Sequence, residues 1–327
     1  MTPLFGHDAA VAAFRAGLAG GRLHHAWLIA GPQGIGKALF AQKAALRVLA
    51  EGAGPPVDLP GLDVPDEHRI ARLVEASSHP DLMRLKRLPK DNGGDLARSI
   101  SVDQVRGLQR LFSTTASLSP WRMVIIDSID DLERSGANAL LKNLEEPPPN
   151  SLFLLVSHAP ERLLPTIRSR CRQLRLSILN DDAMTSALQA ALPDADQAEI
   201  ASLRQVGEGS PGRAIAFRGL EIDKLDEAMR ELADKGDPAN ARRGALAQSL
   251  SLKAAQPRYE AFLARAPSFI ASMARQRRGP KLAEALRLWE RASDLAGSAT
   301  RLSLEPQSVV FELAGMLAAL APEQAHG

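Results

Sequence analysis

Cysteine is nearly missing from this chain: Cys171 is the single one in 327 residues. One thiol closes no intramolecular disulfide and supplies no zinc site that needs several thiolates. Aromatic residues are scarce as well, at 4%, while Ala and Leu dominate the apolar fraction. That balance suits a mainly helical protein better than an all-β one. No apolar run approaches the roughly 20 residues that span a bilayer, so no membrane segment is expected. No signal-peptide pattern opens the sequence, which together with the missing disulfides points to the cytoplasm. Excess charge is also lacking: 40 Lys and Arg against 38 Asp and Glu leave +2, too little to announce nucleic-acid binding. The local basic cluster RQRRGPK (275–281) reads as a solvated helix end.

The length allows two or three domains, and the patterning divides the chain. HHAWLIAG (24–31) ends in a short apolar run, a glycine-rich turn follows, and KALFAQKAALRVLA then places Phe40, Ala41, Ala44 and Val48 on one helical stripe. SVDQVRGLQRLF opens with a capping box, Ser101 and Gln104, and is expected to form one helix with Val105, Leu108 and Phe112 on one face. WRMVIIDSIDDL holds a nearly all-apolar run ending in Asp127, as a strand buried on both faces would. In RSGANALLKNLEEPPPN, Ala137, Leu140, Leu141 and Leu144 make an amphipathic stripe stopped by prolines. LFLLVSHAP is another buried strand, and LLPTIRSRCRQLRL a short helix turning into one more. This alternation predicts a doubly wound α/β domain with a parallel sheet. The stretch from Glu51 to about His79, rich in Pro, Gly and charge, reads as a surface insertion in which His68 and His79 are surface residues. After about residue 178 the strands stop, and a small helical domain closed by the turn GEGSPG precedes a larger helical one.

Gly31, Gly36 and Lys37 match the phosphate-loop pattern G-x-x-x-x-G-K, and Gly34 adds a further glycine. Such glycines turn backbone N–H groups inward on phosphates at a helix N-terminus, and the lysine meets the terminal phosphates. Asp127, at a strand end, stands where the second half of a nucleotide site is wanted. Two parts of a hydrolytic apparatus are nevertheless missing. Ala38 replaces the hydroxyl that holds magnesium, and Ser128 replaces the glutamate that polarises water. The loop is therefore retained either for shape or for holding nucleotide without turnover. Asp130 and Asp131 read as an N-cap or solvated start to the next helix rather than as metal ligands, and no metal site is expected.

Four segments in order, HHAWLIAGPQGIGK, ISVDQVRGL, SGANALLKNLEEPPPN and LLPTIRSRCRQLRL, closely resemble the sliding-clamp loader subunits of bacterial DNA polymerase III, members of the AAA+ class. The likeness is strongest from about Leu23 to Leu176. It implies an AAA+ (RecA-like) α/β domain over 1–178, a small helical lid over 179–219 and a helical oligomerisation domain over 220–327. Two kinds of subunit share these motifs, one with a complete ATPase site and one with a degraded site; Ala38 and Ser128 align this chain with the second. Gly31, Gly34, Gly36, Lys37 and Asp127 then form a degenerate nucleotide site, with ATP or ADP bound without hydrolysis left open. Ser157 maps onto the polar sensor and Arg213 onto the second sensor, or onto an interdomain contact. Arg170 maps onto an arginine finger that acts in trans on a neighbour's ATP; the plain alternative for it is a surface salt bridge.

Many relatives carry a four-cysteine zinc module between the loop helix and the HPD segment, whereas this chain has no cysteine there, so no zinc is expected. The resemblance implies as partners the clamp-loader ATPase subunits and the delta subunit of polymerase III, and through the assembly the clamp and primed DNA. Its rivals are an ATPase that turns over its own nucleotide with Lys37 and Asp127, and an AAA+ interaction module outside replication.

Overall fold

Residues 2–21, 23–90, 96–302 and 304–322 are described by the computed structural model, apart from the side chains of residues 300 and 301. The chain separates into two compact units, Met1–Ala216 and Phe217–Gly327.

In the first unit α1 (Asp8–Ala19) leads to five strands: β1 (Ala26–Ala30), β2 (Leu82–Lys86), β3 (Arg122–Asp127), β4 (Ser151–Ser157) and β5 (Arg172–Arg175). All pair in parallel, in the order β2-β3-β4-β1-β5, as the alternating pattern requires. Parallel strands need crossovers, and helices supply them on both faces. β1 and β4 are buried along their whole length, which is why both read as unbroken apolar runs. The edges differ: β2 (LMRLK) and β5 (RQLR) each bury one residue and carry cations, which discourages pairing with another chain.

One sheet face presents Ala26, Leu28, Val124, Ile126, Phe153 and Leu155 to a core shared with α4 (Val102–Arg106), α5 (Leu108–Ser113), α6 (Arg134–Glu145) and α7 (Pro165–Arg168). The other packs on α1 and α2 (Lys37–Ala53), where Phe14 meets Trp27 at 5.2 Å and Phe40 edge-on at 6.1 Å. The expected capping box is present: the Gln104 N–H donates to Ser101 Oγ at 3.4 Å, and the Ser101 N–H to Gln104 Oε1 at 3.1 Å. The helix it opens is divided in two at Gly107, whose backbone stays in the helical region.

The reading of 51–79 as a surface insertion needs correction. Leu62, Val64, Ile70, Ala71 and Val74 are all buried, the last three on α3 (Arg69–Glu75). While α3 packs against α2, the first part of the stretch is tied down by Arg47 on α2, only 2% exposed. Its guanidinium donates to the carbonyls of Leu59 and Asp63 at 2.7 Å and Val57 at 3.0 Å, and to Glu51 Oε1 at 2.6 Å. Arg15 shares that carboxylate at 2.5 Å. Burial alone would raise the Glu51 carboxyl, but the two guanidiniums outweigh it and hold it below the usual carboxylate range. His79 is likewise buried, not at the surface; its Nδ1 accepts the Asp81 N–H at 3.1 Å, and the Asp81 carboxylate accepts the amides of Ser117 and Leu118. His68 caps α3 by accepting the Ile70 N–H.

Three helices follow the sheet: α8 (Asp181–Ala191), capped by Asn180, α9 (Gln197–Gly207), capped by Asp196, and α10 (Pro211–Phe217). The second unit contains α11 (Ile222–Lys235), α12 (Ala241–Leu250), α13 (Gln256–Ala274), α14 (Gly279–Leu302) and α15 (Pro306–Ala318). The most apolar of them, α15, touches the other four and buries Val310, Leu313, Ala314 and Leu317 completely. A bidentate pair, Arg265 with Asp226 at 2.6 and 2.5 Å, ties α13 to α11. The basic cluster 275–281 lies at the turn between α13 and α14, the helix end its composition predicts.

Arg47→Met removes four hydrogen bonds from a buried site and leaves three carbonyls unmatched. We expect a loss of about 2–4 kcal/mol in denaturant unfolding, with new protease cleavage between residues 54 and 66. Unchanged stability and an unchanged cleavage pattern would show that this segment holds itself.

Candidate functional site

The register sets Ala30 beside Ser157 and Asp127 beside Val156, so the ends of β1, β3 and β4 lie side by side. The turn 31–36 leaves β1 here and enters α2. Its glycines are demanded by space: a Cβ on Gly31 would come within 2.3 Å of the Leu176 carbonyl oxygen. One on Gly34, at φ +77°, would come within 2.5 Å of Ser210 Oγ. Residues of GEGSPG sit directly on the loop. The Ser210 hydroxyl donates to the Gln33 carbonyl at 2.9 Å, and the Gly212 N–H to the Gly34 carbonyl at 2.8 Å. On its other flank His7 bonds the Ile35 carbonyl at 2.8 Å.

Lys37, the first residue of α2, is 3% exposed. Its ammonium donates to the carbonyl of Gly31 at 2.6 Å and to that of Pro32. Burial pushes it down to about 8, with Asp130 and Asp127 opposing the shift. Two of its three N–H groups are thus spent on its own loop, and a phosphate would have to compete with those carbonyls.

Asp130 is placed differently from the expected helix start. It lies in a 3₁₀ turn (Ile129–Asp131), and its carboxylate accepts the Ser157 hydroxyl at 2.9 Å and the amides of His158 and Ala159 at 2.7 and 3.3 Å. The proposed sensor hydroxyl is therefore engaged by a neighbouring loop. Asp131 pairs with Arg87 at 3.2 Å instead of capping α6. Ser128 is 3% exposed and its hydroxyl has no partner, so it offers no substitute base. Among the described residues no group of three or more His, Cys, Asp or Glu is arranged to hold a metal.

The structure thus brings Gly31, Gly34, Gly36, Lys37, Asp127 and Ser157 to one end of the sheet. Arg213 shares the neighbourhood only through its backbone, whose N–H reaches Ser210 Oγ at 3.3 Å. Its guanidinium folds back onto the Gly207 carbonyl at 3.1 and 3.0 Å and onto Glu208 at 3.1 Å. Arg170 belongs to a separate place, the turn between α7 and β5. There it is partly exposed, donating to the Thr166 carbonyl at 2.9 Å and pairing with Glu145 at 2.8 Å. Next to it, burial pushes the Cys171 thiol up to about 12, which leaves it unreactive at neutral pH. Sequence reasoning gave no role to His7, Ser210 or Glu145, and read Asp130 as a helix start. For the serine the turn GEGSPG was the available signal and for Glu145 the segment SGANALLKNLEEPPPN; His7 has none beyond its polarity.

Known proteins are similar to this chain in sequence. The family profile described as "DNA polymerase III, delta subunit" matches residues 6–180. The DNA polymerase III subunit delta' of Pseudomonas aeruginosa is 35% identical over 205 residues, 62% of this chain and 59% of that protein. The Escherichia coli delta' subunit is 32% identical over 220 residues, 65% and 60% of the two chains. The Escherichia coli tau subunit is 30% identical over 227 residues, 68% of this chain and 33% of its own. The match with both delta' relatives thus spans about 60% of their length. A solved DNA polymerase III gamma-subunit-related protein from Thermotoga maritima overlaps 95% of this chain and 99% of its own at 13% identity with a TM-score of 0.43, a loose likeness. With more than half its length matched by the family profile, the chain belongs to the DNA polymerase III delta-subunit family.

Proposed function

We propose that this chain is a clamp-loader subunit of the delta-prime kind, a component of the polymerase III holoenzyme that does not itself hydrolyse ATP. It would join ATPase subunits and a delta subunit in loading a sliding clamp onto primed DNA. Residues 179–219 would serve as a lid over the degenerate site and 220–327 as the oligomerisation part. The observation that carries this reading is the state of Lys37: its charge is spent on the loop's own carbonyls, beside an alanine at 38 and a buried serine at 128. Arg170 supports the other half. Its guanidinium is always charged, presents a planar fork suited to phosphate oxygens, and lies at the surface rather than beside Lys37.

A chain of this kind contributes to catalysis next door. An arginine supplied in trans stabilises charge on a transferring phosphoryl group and is worth about 10³ to 10⁵ in rate.

The purified chain is expected to show no ATP turnover that depends on Lys37, measured as phosphate release against Lys37→Ala; a Lys37-dependent rate would favour the active-ATPase rival. Co-expressed with the polymerase III ATPase and delta subunits, it is expected to co-purify with them, and failure to do so would favour a role outside replication. Arg170→Ala is expected to leave assembly intact and slow the adjoining ATPase site by about 10³-fold or more, so that the DNA-stimulated rate falls by that site's share. An unchanged rate would remove the trans-finger role.

A further inference from the structure

Arg170 follows a short helix on a turn, and a long side chain there could sweep a wide arc. Two groups restrict it: the Thr166 carbonyl takes Nη1 at 2.9 Å, and Glu145 Oε1 takes Nη2 at 2.8 Å. Glu145 is the last residue of α6, and α6 is anchored in the core by Leu140 and Leu144. Pro147, Pro148 and Pro149 keep the helix from running on, so the carboxylate is delivered at a fixed point.

That carboxylate is badly placed for α6 itself. The C-terminal turn of a helix carries partial negative charge and favours cations, so Glu145 works against its own helix. The fold gains little in exchange, because the pair is half exposed, with the arginine 34% and the glutamate 47% accessible, and such pairs add little stability. What the pair does accomplish is geometric. It fixes the guanidinium plane relative to α6 and leaves the remaining N–H groups of the fork free to meet an outside acceptor.

The geometry points to Glu145 as a positioning residue: it aims Arg170 at a phosphoanion held by the adjoining subunit, touching no phosphate itself. This rests on the trans-finger role of Arg170. A guanidinium already held in its working orientation loses less freedom on engaging phosphate, so Glu145 acts on the rate of the neighbouring site more than on its affinity for nucleotide.

The test is a double-mutant cycle in the reconstituted clamp-loader assembly, with kcat and KM for ATP measured for Glu145→Ala, Glu145→Asp, Arg170→Ala and the Glu145→Ala/Arg170→Ala pair. Glu145→Ala is expected to lower kcat of the dependent site about two- to fivefold with KM little changed. Glu145→Asp should keep part of the rate, and Glu145→Ala should add no loss once Arg170 is already alanine. Should the alanine variant fail to assemble, the isosteric Glu145→Gln takes its place in the cycle. If Arg170→Ala lowers the rate while removal of Glu145 does not, the positioning role is wrong and the finger stands. If Arg170→Ala changes nothing, the finger itself is wrong. Equal losses from removing Glu145 on both backgrounds would also overturn the proposal, since they would show that Glu145 acts independently of Arg170.

Discussion

An ammonium taken out of water has to find oxygen, and the end of the sheet is arranged around the oxygen that Lys37 finds. The carbonyls of Gly31 and Pro32 take it, and with them the turn between β1 and α2 acquires a closed shape. Ser210 and Gly212 then fit against that shape at distances only glycine at 34 permits. The nearby carboxylates of Asp130 and Asp127 oppose the downward push of burial on the cation. Asp130 in turn holds the end of β4 through Ser157, His158 and Ala159. The turn is packed throughout against groups of the same chain. It links strand, helix and the α8–α10 helices into one packed element.

Arg213 and Arg170 answer different constraints. Arg213 is absorbed locally, its fork taken by Gly207 and Glu208 at the end of α9. Arg170 is engaged on only part of its fork and remains accessible. One cation is thus offered outward, while the inward one, Lys37, is solvated by the carbonyls of its own loop.

Much of this was readable from residues alone, and the exceptions have identifiable causes. β1, β3 and β4 announce themselves because burial on both faces leaves no polar interruption, and α2 and α6 because their apolar stripes recur at helical spacing. β2 escaped notice: an edge strand with one buried residue and two cations shows neither an apolar run nor alternation. The loop glycines and Lys37 were legible as a pattern, but not that the lysine would bind its own turn, since carbonyl acceptors carry no side-chain signature. The same gap explains Asp130, whose partners are mostly backbone amides, and His79, whose burial follows from Asp81 organising the 117–118 turn. Arg170 was located only through the flanking motif, because an isolated arginine on a surface turn is ordinary.

Arg47 has a consequence for how this protein can vary. Three of its four partners are main-chain oxygens, at Val57, Leu59 and Asp63. Main-chain oxygens are the same whatever amino acid carries them, so the guanidinium inspects the course of the polypeptide and is blind to its spelling. As far as Arg47 is concerned, the side chains at 57 and 59 are free to vary while the course survives, whereas Leu62 is held by its burial and Asp63 by its pairing with Lys43. A change of length between 57 and 63 would put the acceptors out of step with one another.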